Sequence, residues 1–297
     1  MSVLIDESTR VLVQGITGSQ GRFDTRYCLA YGTNIVAGVT PGRGGQDVEG
    51  VPVYNTVEAG VAASGATASV IYVPAAGIKD AVLEAVDSGI EIIVALTENV
   101  PRHDAAIAVA TTRAAGTWLI GFNTNGMISP GKSKLGGIGG DRADELYVPG
   151  RIGVCSRSGG MSAELSAALA AGGYGVSTCV SMGGDPIIGN DMSEYARQFE
   201  ADPDTDAMLF YGEPGSELEQ GLARAMRDGE INKPVVALIA GVFQERHPKG
   251  LSFGHVAAMI RTEDDSASAK QKLLAEAGAH IAHRLGEIPE LLNQALG

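Results

Sequence analysis

The segment Val11-Leu-Val-Gln-Gly15-Ile-Thr-Gly18-Ser-Gln-Gly21 decides the fold. Its first three residues are a short apolar run of the kind that forms a buried strand, and residues 22–31 can continue as a helix. A strand that turns through glycine into a helix is the opening unit of a doubly wound α/β domain. Glycine lets backbone approach an anion closely, and the first N–H groups of the helix then point at it with the positive dipole end behind them. A nucleotide pyrophosphate is the natural guest. The spacing is G-x-x-G-x-x-G rather than G-x-G-x-x-G, and a tight structural turn has the same composition.

Outward from this unit, short Val- and Ile-rich runs recur at residues 35–39, 69–73, 90–96 and 118–120. Between them lie amphipathic stretches such as residues 77–88, where Ile78, Val82, Leu83, Ala85 and Val86 share one side and Lys79, Asp80, Glu84 and Asp87 fall mostly on the other. Near-continuous apolar strands separated by helices predict a parallel sheet covered on both faces. The rhythm breaks in Pro130-Gly-Lys-Ser-Lys-Leu-Gly-Gly-Ile-Gly-Gly140, which has the composition of a connector rather than an element. It resumes with runs at 152–155, 176–182, 207–211 and 234–240, joined by helical patterns at 162–171 and 216–228. The expected architecture is α/β with two doubly wound domains, over residues 1–125 and 151–297, and a connecting segment at 126–150.

Composition agrees. A chain of 297 residues suits two domains, and 44 % hydrophobic with 19 % charged residues excludes disorder. Thirty-five acidic against 22 basic residues give a net charge of −13, which repels nucleic acid and anionic lipid, so any anionic ligand is held locally. Cys28, Cys155 and Cys179 lack metal-ligand spacing and fit a reducing cytoplasm. The first residues, Met-Ser-Val-Leu-Ile-Asp, carry no cationic leader pattern, and no run reaches the roughly 18 apolar residues of a membrane span. No metal site is expected. His280 and His283 are three apart but lack nearby acidic or thiol partners.

The strand after the glycine loop ends Val39-Thr-Pro-Gly-Arg43-Gly-Gly, without the Asp or Glu that a NAD ribose requires. Arg43 in a glycine loop suits a ribose phosphate instead, as in NADP or coenzyme A, although a solvated loop charge reads the same way. Ser156-Arg-Ser-Gly-Gly160 repeats the strand-to-helix anion geometry, and Gly183-Gly-Asp-Pro186 reads first as a tight turn. His255 lies in a glycine-containing loop beyond the 234–240 run, and Glu213 follows the 207–211 run. Loops beyond the carboxyl ends of strands are where open α/β sheets bind ligands, so the two side chains are expected to converge. A carboxylate on one ring nitrogen fixes the tautomer and makes the other more nucleophilic, which is chemistry for a phosphohistidine. A carboxylate stabilised at a helix start accounts equally for Glu213 taken alone.

Together these segments, with Gly-Ala-Thr-Ala-Ser-Val-Ile-Tyr-Val-Pro at 65–74, Gly212-Glu213 and Pro248-Lys-Gly followed by Gly254-His255, resemble the α subunit of succinyl-CoA synthetase and the nucleoside-diphosphate-forming acid–thiol ligases. The likeness spans essentially the whole chain. It implies a Rossmann-like CoA-binding domain and a flavodoxin-like domain carrying a phosphorylated histidine. By resemblance Thr17, Gly18, Ser19, Gln20, Arg43 (often Lys in the family), Leu96, Thr97 and Glu98 contact CoA, His255 is phosphorylated, and Glu213 holds its ring. An ATP-grasp β subunit, the obligatory partner, binds ATP or GTP with Mg. The second substrate is a small carboxylic acid.

Departures from the family bear on that acid. Gly121-Phe-Asn123-Thr124-Asn-Gly126 replaces Gly-Pro-Asn-Cys-Pro-Gly, and the loop with Ser158, Gly159, Gly160 and Ala163 reads Arg-Ser-Gly-Gly-Met-Ser-Ala where Arg-Ser-Gly-Thr-Leu-Thr-Tyr is usual. The Arg157-Ser-Gly-Gly-Met-Ser162 of this chain resembles the matching segment of ATP-citrate lyase. An alanine in place of a phenol opens space for a dicarboxylate bulkier than or substituted differently from succinate, such as malate, citrate or a sulfur-containing acid. Val256-Ala-Ala and Arg261-Thr-Glu-Asp-Asp also depart from the usual residues after the histidine. Two other readings remain at this level: a CoA-binding module without catalysis, and an NADP oxidoreductase.

Overall fold

The computed structural model describes residues 3–255 and 257–297. The leader reading at Met1 and Ser2 and the Val256 substitution lie outside the described residues.

The first half runs β1 (Val11–Gln14), α1 (Ser19–Tyr31), β2 (Ile35–Val39), β3 (Asp47–Val48), β4 (Val51–Tyr54), α2 (Val57–Ser64), β5 (Ala68–Ile71), α3 (Ile78–Asp87), β6 (Ile92–Ala95), α4 (Arg102–Ala115) and β7 (Trp118–Ile120). Its strands form a sheet in the order β3-β4-β2-β1-β5-β6-β7, parallel except for the β3–β4 pair. The chain winds one way from β1 to β2 and the other way from β1 to β5, so the glycine loop after β1 sits where the winding reverses. That is the crevice in which such sheets bind ligands.

The second half runs β8 (Met127–Ser129), β9 (Ser133–Leu135), α5 (Ala143–Leu146), β10 (Pro149–Ser156), α6 (Gly159–Ala171), β11 (Val176–Ser181), α7 (Met192–Ala201), β12 (Ala207–Gly212), α8 (Leu218–Arg227), β13 (Val235–Ile239), α9 (Ala267–Glu276), β14 (His280–Ala282) and α10 (Ile288–Leu296). The strand order is β14-β13-β12-β10-β11-β8-β9. Here the reversal falls between β10 and β12, which places the loop at 156–158 beside Glu213.

The apolar runs become strands to within three residues, and from Ile152 onward β10 to β13 bury nearly every side chain, as parallel strands covered on both faces must. One expectation is corrected. The glycine-rich segment at 126–150 is not only a connector: β8 pairs antiparallel with β11 through Cys179↔Ile128, and β9 pairs with β8. Three-residue strands are too short to show a period. They pair on the edge of β11, and Lys134, 1 % exposed, turns its ammonium onto Ile138 O at 3.1 Å and Gly140 O at 2.6 Å in the loop that follows.

The two halves are stitched by backbone. Gly121 N donates to Met182 O at 3.1 Å, Gly189 N donates to Gly121 O at 2.7 Å, and Leu119 N donates to Asn190 Oδ1 at 2.9 Å. Asn190 also donates from Nδ2 to Glu194, whose carboxylate closes the capping box of α7 with Asp191. Asn190→Ala should therefore leave the buried Leu119 N–H without its acceptor and lower unfolding free energy by about 1–3 kcal/mol, read by denaturant titration. No change would mean that this bond does not join the halves.

Candidate functional site

The β1–α1 loop is shaped by closeness rather than by turn propensity. A Cβ at Gly21 would lie 2.5 Å from Gly15 O, so only glycine lets the first turn of α1 rest on the loop that feeds it. Among the described residues no side chain caps α1, its N-cap being Gly18, and its first turn holds no carboxylate. Its leading N–H groups therefore face outward with the dipole unopposed, which suits a phosphate. Thr17 Oγ1 donates to Thr40 Oγ1 at 3.1 Å, tying this loop to the one that carries Arg43. Arg22 Nε donates to Thr17 O at 3.1 Å, and Arg43 is solvent-exposed in the adjacent loop. Gln20 is turned along the helix onto Asp24 at 2.9 Å.

Leu96, Thr97 and Glu98 leave β6 on the same edge, Leu96 and Thr97 partly buried and Glu98 exposed. Thr97 Oγ1 donates to Val73 O at 2.6 Å. The expected CoA contacts thus lie along one sheet edge, and the residues present fit a ligand with phosphates at the α1 N-terminus and a cationic loop beside it.

On the second sheet, His255 and Glu213 meet. His255 Nδ1 lies 2.9 Å from Glu213 Oε2, with side chains 29 % and 13 % exposed. A carboxylate only accepts, so Nδ1 carries a proton, and in the neutral ring Nε2 keeps its lone pair. A tight turn displays the histidine: Ser252 bridges Met259, and both Ser252 Oγ and Ala258 N donate to His255 O, at 2.9 and 3.0 Å. Beyond the turn, Asp265 O accepts from Gly215 N at 2.9 Å, tying the segment that follows Met259 to the Glu213 loop.

Beneath the ring lies Gly184. A Cβ there would stand 2.9 Å from His255 Cδ2 and 3.0 Å from Cγ and Nε2, so the imidazole rests on bare backbone. The Gly183-Gly184 turn is thus a floor for the histidine as well as a turn. It is tied to the first domain by a relay of backbone bonds, Gly184 N to Asn123 O and Asn123 N to Thr97 O, each 3.0 Å. Asn123 accordingly stands between the CoA edge and the histidine, and Thr124 Oγ1 donates to Ser181 O alongside.

The third wall is the start of α6. The helix begins at Gly159 with Ser158 as N-cap, three residues earlier than the sequence pattern at 162–171 suggests, and Ser158 Oγ accepts from Met161 N at 3.4 Å. Asn125 Nδ2 donates to Gly159 O at 3.1 Å. Gly160 is exposed, and Ala163 opens the second turn, partly buried against the cluster that holds Tyr147 and Leu165.

Several residues at this edge have roles that the sequence alone does not assign. Arg157 is 3 % exposed and donates from Nη2 to Asp185 O at 3.5 Å. Burial pulls its pKa down, against the opposing pull of Glu213, Glu219 and Asp185. It is a fixed cation among carboxylates, and it makes the edge tolerant of added negative charge. Lys270 and Glu219 lie behind Glu213. The thiols contribute nothing reactive: burial pushes Cys28 and Cys179 up to about 12. Among the described residues no group of three or more His, Cys, Asp or Glu could hold a metal ion, and no helix is long and apolar enough to cross a membrane.

Comparison with known proteins matches two separate stretches of the chain. Residues 6–99 match the CoA binding domain and residues 149–293 match the succinyl-CoA ligase like flavodoxin domain. The chain is 44 % identical over 296 residues to succinate–CoA ligase [ADP-forming] subunit alpha 2 of Archaeoglobus fulgidus, covering 100 % of each. It is 41 % identical to the malate–CoA ligase subunit alpha of Methylorubrum extorquens, over 95 % of this chain and 94 % of that one. Among solved structures, ATP citrate lyase from Methanosaeta concilii in complex with (3S)-citryl-CoA superposes with a TM-score of 0.91 at 26 % identity, over 99 % of this chain. The chain spans 50 % of that longer protein. The chain belongs to the family of succinate–CoA ligase alpha subunits and related CoA ligases.

The pair at the centre of the site titrates. The bond to Glu213 raises the His255 pKa above 6.5, outweighing burial, which lowers it. A group whose pKa rises on folding contributes stability in full below its unfolded value and loses it as pH climbs through the folded value. The contribution of this pair is therefore complete below pH 6.5 and fades as pH rises through the elevated pKa. Glu213→Gln should move the ring titration down and remove that acid-side stabilisation, followed by NMR of the ring protons and by denaturation on either side of neutrality. An unmoved titration would separate Glu213 from His255.

Proposed function

Starting from that membership, we propose that this chain is the α subunit of a nucleotide-dependent carboxylate–CoA ligase in which His255 relays a phosphoryl group. The single observation that carries the reading is the His255–Glu213 bond, set on the Gly184 floor beside the α6 N-terminus. His255 Nε2 attacks the γ-phosphorus of a nucleoside triphosphate held by the partner. An N–P bond forms, the P–O bond to the β-phosphate breaks, and the nucleoside diphosphate leaves. An oxygen of the carboxylic acid then attacks the same phosphorus, the N–P bond breaks, and an acyl phosphate results. CoA, the last substrate, supplies the thiol that takes the acyl group and releases phosphate.

This chain's residues do the positioning. Glu213 keeps Nδ1 protonated and stabilises the ring as positive charge builds during attack. The free N–H groups at Gly159 and Gly160 and the Arg157 cation neutralise charge on the phosphorylated ring. The backbone relay from Thr97 through Asn123 to Gly184 couples the thiol-side loop to the histidine floor. Thr17, Gly18, Ser19, Gln20 and Arg43 hold the phosphates of CoA. The nucleotide with its Mg belongs to an ATP-grasp β subunit, and the chain works in the cytoplasm.

The acid is a dicarboxylate bulkier than succinate or substituted differently from it. Support comes from Ala163, near the start of α6 where the family often carries tyrosine, and from relatives whose names specify malate or contain citrate. The test is reconstitution with the β subunit, ATP and a panel of acids including succinate, malate, citrate and sulfonated acids. Phosphate on His255 and thioester formation are expected in the parent and abolished in His255→Asn. Absence of both, with CoA still bound, would leave a binding module, and NADP reduction by a hydroxy acid would point to an oxidoreductase. Ala163→Tyr should raise the rate with succinate relative to the bulkier acids, and unchanged relative rates would remove position 163 from selectivity.

A further inference from the structure

Lys270 in α9 and Glu219 in α8 are both wholly buried, with side chains 0 % exposed. The ammonium has three protons and spends each on a named acceptor: Glu219 Oε2 at 2.6 Å, Glu213 O at 2.8 Å, and Gly215 O. The other oxygen of Glu219 accepts from Glu213 N at 3.1 Å. The N–H and the C=O of Glu213 thus both end on this pair. A Cβ at Gly212 would fall 2.2 Å from Glu219 Oε1, so the carboxylate is pressed against the peptide that precedes Glu213.

Two buried charges are costly to desolvate, and an apolar pair of the same volume fills such a space as well or better. What an apolar pair cannot supply is direction. Three donors and two acceptors locked in one arrangement leave the turn after β12 one way to lie. We propose that Lys270 and Glu219 are positioning residues that clamp the Glu213 peptide and so aim its carboxylate at His255 Nδ1. Neither touches the ring. The charges that act on the ring are those of Glu213, Arg157 and Asp185, and none of these three residues is altered in the clamp variants.

The inference deepens the phosphohistidine reading, and its test does not depend on turnover. Glu219→Gln is nearly isosteric, but a carboxamide has one accepting oxygen where two acceptors are needed, so it fails either Glu213 N–H or Lys270. The double variant Lys270→Met with Glu219→Leu removes both charges together and avoids stranding one. Each variant is read in the full chain by NMR titration of the His255 ring, by CoA affinity as a control in the distant domain, and by phosphorylation rate with the β subunit and ATP. The expected outcome is unchanged CoA affinity, a His255 titration displaced downward as in Glu213→Gln, and phosphorylation slowed about 10- to 100-fold by the misplaced base. A folded variant, CoA-binding as the parent is, whose ring titrates as in the parent overturns the proposal. If the parent chain itself is never phosphorylated, the relay reading fails, while the ring titration still decides the clamp.

Discussion

The 2.9 Å contact between His255 Nδ1 and Glu213 Oε2 is the constraint on which the rest of the molecule depends. An imidazole has two nitrogens and one neutral proton, and a carboxylate on one of them settles where that proton lies. Everything around the contact serves to keep it. The Ser252–Met259 bridge holds the peptide of the histidine, the bare Gly184 backbone supports its ring, and the loop after β12 carries the carboxylate. The arrangement raises the basicity of the ring and leaves Nε2 turned away from the acid, ready to form a bond.

A second constraint is where the two sheets end. In each half the useful loops leave the carboxyl edge at the point where the winding reverses, as the geometry of doubly wound sheets requires. The loop at 121–126 then crosses from one edge to the other. Its backbone bonds to Thr97 on one side and to Gly184 on the other, so the two sites are joined by peptide groups and not by flexible side chains. Such a connection is stiff, and it sets the loop after β6 and the histidine floor in one frame.

Much of this was legible in the residues. The glycine spacing at 15–21, the apolar runs, and the placement of Glu213 and His255 beyond strands of one domain all follow from short-range patterns. The antiparallel pair β8–β9 was not legible, because three-residue strands in a glycine-rich stretch show no period and owe their pairing to the edge of β11. Gly183-Gly184 reads as a turn, and only the folded chain shows an imidazole lying on it. Lys270 was equally hidden: it sits in Ser-Ala-Ser-Ala-Lys-Gln-Lys-Leu-Leu, where a lysine reads as solvated, and its partners lie more than fifty positions away. Arg157 was visible in its motif as a residue type, but its burial depends on Asp185 from another loop. What escapes the sequence is long-range polar pairing, which leaves no periodic trace.

The central claim is that Glu213 reserves Nδ1 and leaves Nε2 to react. The most direct measurement is phosphorus and nitrogen NMR of the chain after incubation with its β subunit and ATP, with the ring nitrogens labelled. The account predicts a phosphoramidate at Nε2 of His255, with Nδ1 still protonated and bonded to Glu213. A phosphoryl group on Nδ1, or on any other residue with His255 unmodified, would contradict it.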